Sequence, residues 1–189
     1  MEGLEMSSRR HILLDHKHQL GFTLLELIVT LSVIAIVAAI AIPNMSTWAA
    51  NYRLNSAARD LVANLQHAKL EAVKRRTQCT ITFNQPVGTC DFAVYMDVNN
   101  NLEYDAEQIL IQVGLSDYKG VAFDTSEGGG DGLTFPDNDN FRPSVAFNTR
   151  GLPINNAGGS GAGSIYLRNT LNRKKEIQIS AAGSIRILQ

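Results

Sequence analysis

Residues 22–42, FTLLELIVTLSVIAIVAAIAI, carry a single charge, Glu26. As an α-helix this stretch is roughly 31 Å long, the thickness of a bilayer's hydrocarbon core. A helix that is apolar on every face has no side to offer water. It has to lie in lipid or be ringed by other helices. That requirement excludes a simple soluble enzyme. The formal net charge of −1 excludes a broadly basic nucleic-acid coat, though not a local basic patch.

The flanks orient the block. Residues 1–21 carry Arg9, Arg10 and Lys17, with His11, His16 and His18, against Glu2, Glu5 and Asp15. Beyond the block the first basic residue is Arg53. By the positive-inside rule the N-terminus is cytoplasmic and the body lies across the membrane. A cleaved secretory signal would have a shorter apolar run with a small-residue site after it. Here the break in polarity falls before the run, at Gly21-Phe22.

Gly21-Phe22-Thr23-Leu24-Leu25-Glu26-Leu27, continued by an unbroken apolar run to Pro43, resembles the processing motif of type IV prepilins. The resemblance implies that a prepilin peptidase removes residues 1–21 after Gly21 and that the amine of Phe22 is methylated. It also implies storage in the bacterial inner membrane as a single-pass protein, then extraction into a filament in the periplasm or outside the cell. Glu26, the fifth residue after the cut, reads as the partner of a neighbouring subunit's N-terminal amine. A desolvated carboxylate needs such a partner. The plainer alternative is a carboxylate near the membrane interface. Pro43 is expected to kink the helix.

Residues 44–76 contain no Gly or Pro. Leu54, Ala58, Leu61, Leu65, Ala68 and Ala72 recur at helical spacing, one apolar stripe to lie against a sheet. Lys74, Arg75 and Arg76 suit the negative end of the helix dipole, with a binding patch as the alternative. From residue 77 the period becomes that of strands. These are expected at 79–83, 92–96, 109–113, 121–123, 133–135, 144–147, 165–167 and 177–179, joined as antiparallel hairpins. Residues 127–132 and 155–164, rich in Gly, Ser and Asn, read as mobile surface loops. The expected organisation is thus a leader (1–21), an apolar helix (22–43), an amphipathic continuation (44–76) and a β-rich head (77–189). The fold class is α+β, with a long N-terminal helix packed on an antiparallel sheet, as the type IV pilin fold implies.

Two later phrases, Val145-Ala146-Phe147-Asn148-Thr149-Arg150-Gly151 and Ser180-Ala181-Ala182-Gly183-Ser184-Ile185-Arg186, are similar to the GspH/FimT class of minor pilins and pseudopilins. The resemblance implies a non-enzymatic subunit at or near a filament tip, with other major and minor pilins or pseudopilins as partners. A type II secretion pseudopilin and a DNA-uptake pilin are the alternatives. In the FimT branch an Arg follows the Gly of the second phrase. Ser184 stands there in this chain, and Arg186 matches the later Arg.

Several further sites follow from residue types. Cys79 and Cys90 are the only cysteines, and an even pair outside the membrane points to a disulfide stapling a turn that contains Pro86 and Gly88. Two reduced buried thiols are the alternative. Arg173, Lys174 and Lys175, with Arg186, form a candidate phosphate-binding surface for DNA; a solvated hairpin turn is the plainer reading. Asp97, Asn99, Asn101, Glu103, Asp105 and Glu107 alternate like a calcium loop, but Leu102 replaces the turn glycine and Gln108 the bidentate glutamate. An acidic turn is the better reading. His67 is the only histidine after the leader, too little for a zinc site or a Ser-His-Asp triad, and no cofactor is implied.

Replacing Gly21 by a bulky residue (Gly21→Leu) is expected to leave the leader attached and Phe22 unmethylated. Intact-mass measurement of the membrane fraction reads this directly. Normal leader loss in the variant would contradict the motif reading.

Overall fold

The structure, a computed structural model, describes residues 21–84, 90–104 and 108–188. The leader up to Leu20, Pro86 and Gly88 of the cysteine turn, and Asp105 and Glu107 of the acidic segment lie outside the described residues. The chain divides into two compact units that meet in sequence between Ile42 and Pro43.

The first element is α1 (Leu24–Arg75), 52 residues with Pro43 inside it. Proline lacks the N–H that would bond four residues back, so one ladder bond is lost here. The Pro43 carbonyl accepts the hydroxyls of Ser46 (2.8 Å) and Thr47 (3.3 Å). The helix runs on through the proline and ends at Arg75. Its last turn is closed by Glu71, which lies only 8% exposed and takes the side chains of Arg75 and Lys74. Arg75, then Lys74, hold that carboxyl below its ordinary range. Two of the three cations at the helix end are thus engaged by Glu71.

The unit from Pro43 onward is built on the stripe. Leu54, Ala57, Ala58, Leu61, Leu65, Ala68 and Ala72 are all buried. Four of the seven are alanines, which let a sheet come close to the helix axis. Two antiparallel sheets supply the other wall of the core. The strands are β1 (Gln78–Phe83), β2 (Phe92–Asp97), β3 (Ile109–Val113), β4 (Val121–Phe123), β5 (Ser144–Phe147), β6 (Pro153–Ile154), β7 (Gly163–Asn169), β8 (Lys174–Ile179) and β9 (Ile185–Leu188). One sheet has the order β3-β2-β1-β5-β6 and the other β4-β7-β8-β9. Stripe and sheet residues form one apolar cluster. Phe83 is its aromatic centre, stacked on Phe135 at 5.6 Å and packed on Phe92 and Phe123 at 5.9 and 6.0 Å.

Leu133–Phe135, expected as a strand, makes only a single bridge, Leu133 to Ile165. Both ends of the segment are nevertheless buried. It fills the core as an irregular segment, because the glycine run before it turns the chain too sharply for a ladder.

The expected Cys79–Cys90 disulfide is not formed, and the register explains why. In the β1–β2 hairpin Cys79 faces Met96 and Phe83 faces Phe92. Cys90 lies beyond Phe92, six residues from the position opposite Cys79, or roughly 20 Å along the strand. A disulfide needs Cα atoms within about 7 Å. Burial pushes the Cys79 thiol up to about 12, which keeps it protonated and inert.

The two phrases that carry the class resemblance become two tight turns set back to back. Asn148 accepts the amides of Arg150 and Leu152, and Gly151 donates back to the Asn148 carbonyl. Gly183 likewise donates to the Ser180 carbonyl. Both glycines have φ of +75°, a left-handed conformation that a side chain disfavours. A Cβ on Gly183 would sit 2.7 Å from the Gly151 carbonyl oxygen. Lys69 reaches from α1 to donate to the Gly183 carbonyl at 2.8 Å. One helix lysine thus fastens the turn that closes β8–β9 against the turn that closes β5–β6.

The replacement Gly183→Ala is expected to destabilise the head by about 1–3 kcal/mol, from the positive φ and the contact with Gly151. Urea unfolding beside the unaltered protein measures it. A change within error would contradict this account of the paired turns.

Candidate functional site

Two surfaces remain to be explained. The first is the N-terminal half of α1. Phe22, Leu24, Leu25, Leu27, Ile28 and Val29 are all more than half exposed, and the same holds for the large apolar side chains up to Ile42. Soluble monomers rarely expose apolar patches beyond a few hundred Å². By length and hydropathy this helix can cross a membrane. Its hydroxyls make no demand on the surroundings. Thr30 donates to the Leu27 carbonyl at 2.9 Å and Ser32 to the Ile28 carbonyl at 2.8 Å. That leaves the Glu26 carboxylate as the one charged group of the stretch.

Glu26 is positioned by the helix start. The Thr23 hydroxyl accepts the backbone N–H of Glu26 at 3.1 Å, so Thr23 caps α1 and Glu26 is its third residue. Thr23-x-x-Glu26 has the spacing of a capping box. This signal stood in the sequence inside the processing motif and was not read there. It places the acid in the first turn, where the positive end of the helix dipole favours a negative charge.

The second surface is the cationic group, and the structure does not bring its four members together. Lys174 is committed elsewhere. Its ammonium lies 2.7 Å from Asp124 Oδ2 and 2.8 Å from Glu127 Oε1. Asp124 is fully buried and also faces Arg168 at 3.7 Å. Burial alone would raise the Asp124 carboxyl. The hydrogen bonds from Lys174 and Ser126 overcome that and hold it at about 2. This network ties the glycine-rich segment after Asp124 to β8. Asp131 adds a bond from Asn84 at 3.2 Å and one from the Leu133 amide at 2.9 Å.

Arg186 is paired across the ladder with Gln178, four residues along β8 from Lys174, roughly 13 Å away. On the same face between them stands Glu176, which accepts the hydroxyls of Ser164 (2.7 Å) and Tyr166 (3.4 Å). A carboxylate in the middle breaks a continuous track for phosphates. Arg173 and Lys175 remain. They line an open cleft of about 300 Å³ together with Asn51, Leu54 and Asn55 of α1 and the Lys174 stem.

The acidic segment after β2 is a turn built on Asp97, which is 2% exposed. Its carboxylate accepts Gln78 Nε2 (2.8 Å), Thr80 Oγ1 (2.9 Å) and the amides of Asn101 (3.2 Å) and Leu102 (2.9 Å). Three donors meet Oδ2 and one meets Oδ1, so this carboxylate is engaged in shaping the turn. His67 is exposed on α1. Among the described residues no group of His, Cys, Asp and Glu is set to hold a metal.

The profile of the family described as type II transport protein GspH matches residues 57–183. That of the prokaryotic N-terminal methylation motif matches residues 16–42. No curated protein matches the sequence. Among solved structures the chain is similar to the minor pseudopilin EpsH of the type 2 secretion system of Vibrio cholerae. The identity is 10%, over 72% of this chain and 96% of that one, with a TM-score of 0.48. It is also similar to the type IV minor pilin FimU of Pseudomonas aeruginosa, at 16% identity over 74% and 90% of the two chains, with a TM-score of 0.44.

The Asp124 network has a pH signature. A carboxyl held at about 2 in the folded chain, below its ordinary 3.8, adds stability above pH 4 that is lost as pH falls towards 2. Asp124→Asn is therefore expected to be less stable than the unaltered protein at neutral pH, with the gap closing between pH 4 and 2. Urea midpoints across that range test this; a gap independent of pH would contradict it.

Proposed function

The chain belongs to the GspH family, and from that premise we propose that it is a minor subunit of a type IV pilus-like filament, entering at or near the tip. The observation that carries this reading is the uncovered apolar half of α1 with the capped Glu26 in its first turn. In the membrane, lipid covers that surface. After cleavage between Gly21 and Phe22 and methylation of the new amine, the helices of neighbouring subunits replace the lipid. Glu26 then meets a neighbour's positive terminus, and the head stays outside the helical core. Prepilin peptidase and other pilins or pseudopilins are the partners in this scheme.

The system served is a second question. The description of the family as type II transport favours a secretion pseudopilus as the second reading. DNA capture by Arg173, Lys174, Lys175 and Arg186 is the third. It is disfavoured by the ion pairs of Lys174 and by Glu176 standing among the cations.

Glu26→Ala separates assembly from processing. Losing one partner of a buried ion pair costs about 3–5 kcal/mol. The variant should lose its leader normally, yet its incorporation into sheared filaments should fall at least tenfold. Immunoblots of membrane and sheared fractions read both. Wild-type incorporation would overturn the role given to Glu26.

A further inference from the structure

Where the helix leaves the apolar block, several exposed groups gather on the unit that begins at Pro43. Trp48 and Tyr52 are 65% and 58% exposed and stacked at 5.4 Å. With Asn51 and Asn55 they occupy positions three and four apart, one continuous patch of helix surface. Trp48 stands six residues after Ile42 in the sequence. Trp and Tyr that follow closely on an apolar span concentrate in the headgroup layer of membrane proteins.

The β7–β8 turn is held beside this patch. Asn169 Nδ2 donates to Asn51 Oδ1 at 3.1 Å, and Asn169 Oδ1 accepts the amides of Leu171 and Arg173 at 3.0 Å each. A single asparagine thus both shapes the turn and fastens it to α1. The turn presents Leu171, 47% exposed, with Arg173 and Lys175 behind it. Lys174 is spent on Asp124 and Glu127. In contrast, no carboxylate among the described residues lies within ion-pair distance of Arg53, Arg173 or Lys175.

We propose that this surface (Trp48, Tyr52, Leu171, Arg173 and Lys175) seats the head on anionic phospholipid headgroups while the subunit waits in the membrane. The inference rests on the membrane-stored subunit of the preceding section. The cations meet lipid phosphates, and the aromatic pair and Leu171 lie among the headgroups. A nucleic acid offers phosphates to the cations but no interfacial layer to the exposed aromatic pair and leucine, so lipid is the better match. Extraction into a filament breaks these contacts, so they act as a releasable hold.

The test uses the full chain reconstituted in vesicles of phosphatidylcholine alone or mixed with phosphatidylglycerol. Trypsin reports on Arg173 and Lys175, and Trp48, the only tryptophan, reports depth by brominated-lipid quenching. Cleavage at Arg173 and Lys175 should be at least about threefold slower in the anionic vesicles at low salt, the protection fading at high salt. Arg173→Gln with Lys175→Gln should lower Trp48 quenching in anionic vesicles to its level in neutral ones, with an unchanged melting temperature. Equal cleavage in both vesicles, with the chain incorporated, would overturn the inference and leave the filament reading intact. Failure of the chain to float with either vesicle would overturn both. Protection by duplex DNA, with none by anionic vesicles, would give the surface to nucleic acid.

Discussion

The structure depends on one helix that has to satisfy two kinds of surroundings in succession. Over Leu24–Ile42 its side chains, Glu26 and two hydroxyls apart, are apolar on every face, and among the described residues none covers them. Over Leu54–Ala72 a single stripe is apolar, and two sheets cover it completely. The second half fixes a folded head. The first half cannot be at rest in water, since burying apolar surface is worth about 25 cal/mol per Å². Lipid and a bundle of like helices both meet that need. In the function proposed above, the same residues serve a stored state in lipid and an assembled state among helices. In that proposal Glu26 distinguishes the two, because a desolvated carboxylate requires a positive partner that hydrocarbon does not offer.

The head is matched to this demand by small residues and local ties. Alanines at 57, 58, 68 and 72 let strands approach the helix, while Phe83, Phe92, Phe123 and Phe135 fill the wider space away from it. The irregular segments are fastened by polar side chains instead of ladders. Asp97 holds the turn after β2, Asp124 the glycine-rich segment, Asn148 and Asn169 their tight turns. Each carries several short bonds from neighbouring amides or cations. The same logic decides which basic side chains are spoken for: a lysine facing a buried aspartate belongs to the fold.

Much of this was legible in the sequence, and the parts that were not share a cause. The apolar block, the stripe Leu54–Ala72 and the longer strands follow from local period alone, which composition within a few residues fixes. The two-residue β6 and the terminal β9 are too short to show a period. Leu133–Phe135 has the composition of a strand but makes a single bridge, to Ile165 on the stretch of β7 that β4 leaves open. The disulfide between Cys79 and Cys90 failed on register, which spacing in sequence does not reveal when the turn is asymmetric about the two residues. The cationic group is divided in space for the same kind of reason. Alternation along β8 sends Lys174 and Lys175 to opposite faces, and the partners of Lys174 come from a segment some fifty positions earlier. Thr23, by contrast, was readable as a cap and was obscured by the motif around it.

The phrases that carry the class resemblance are consumed by architecture. In 145–151 and 180–186 the glycines supply backbone conformations, Asn148 and Ser180 close turns, and Lys69 fastens one to the helix. Family membership therefore speaks to how the head is built. A partner meets other residues: those left exposed and without a counter-ion once the fold has taken what it needs. By that criterion Arg173 qualifies and its neighbour Lys174 does not, although the two are adjacent in sequence. Charge that is adjacent in sequence becomes two separate things in space, a brace and a free surface, and only the second is available for recognition.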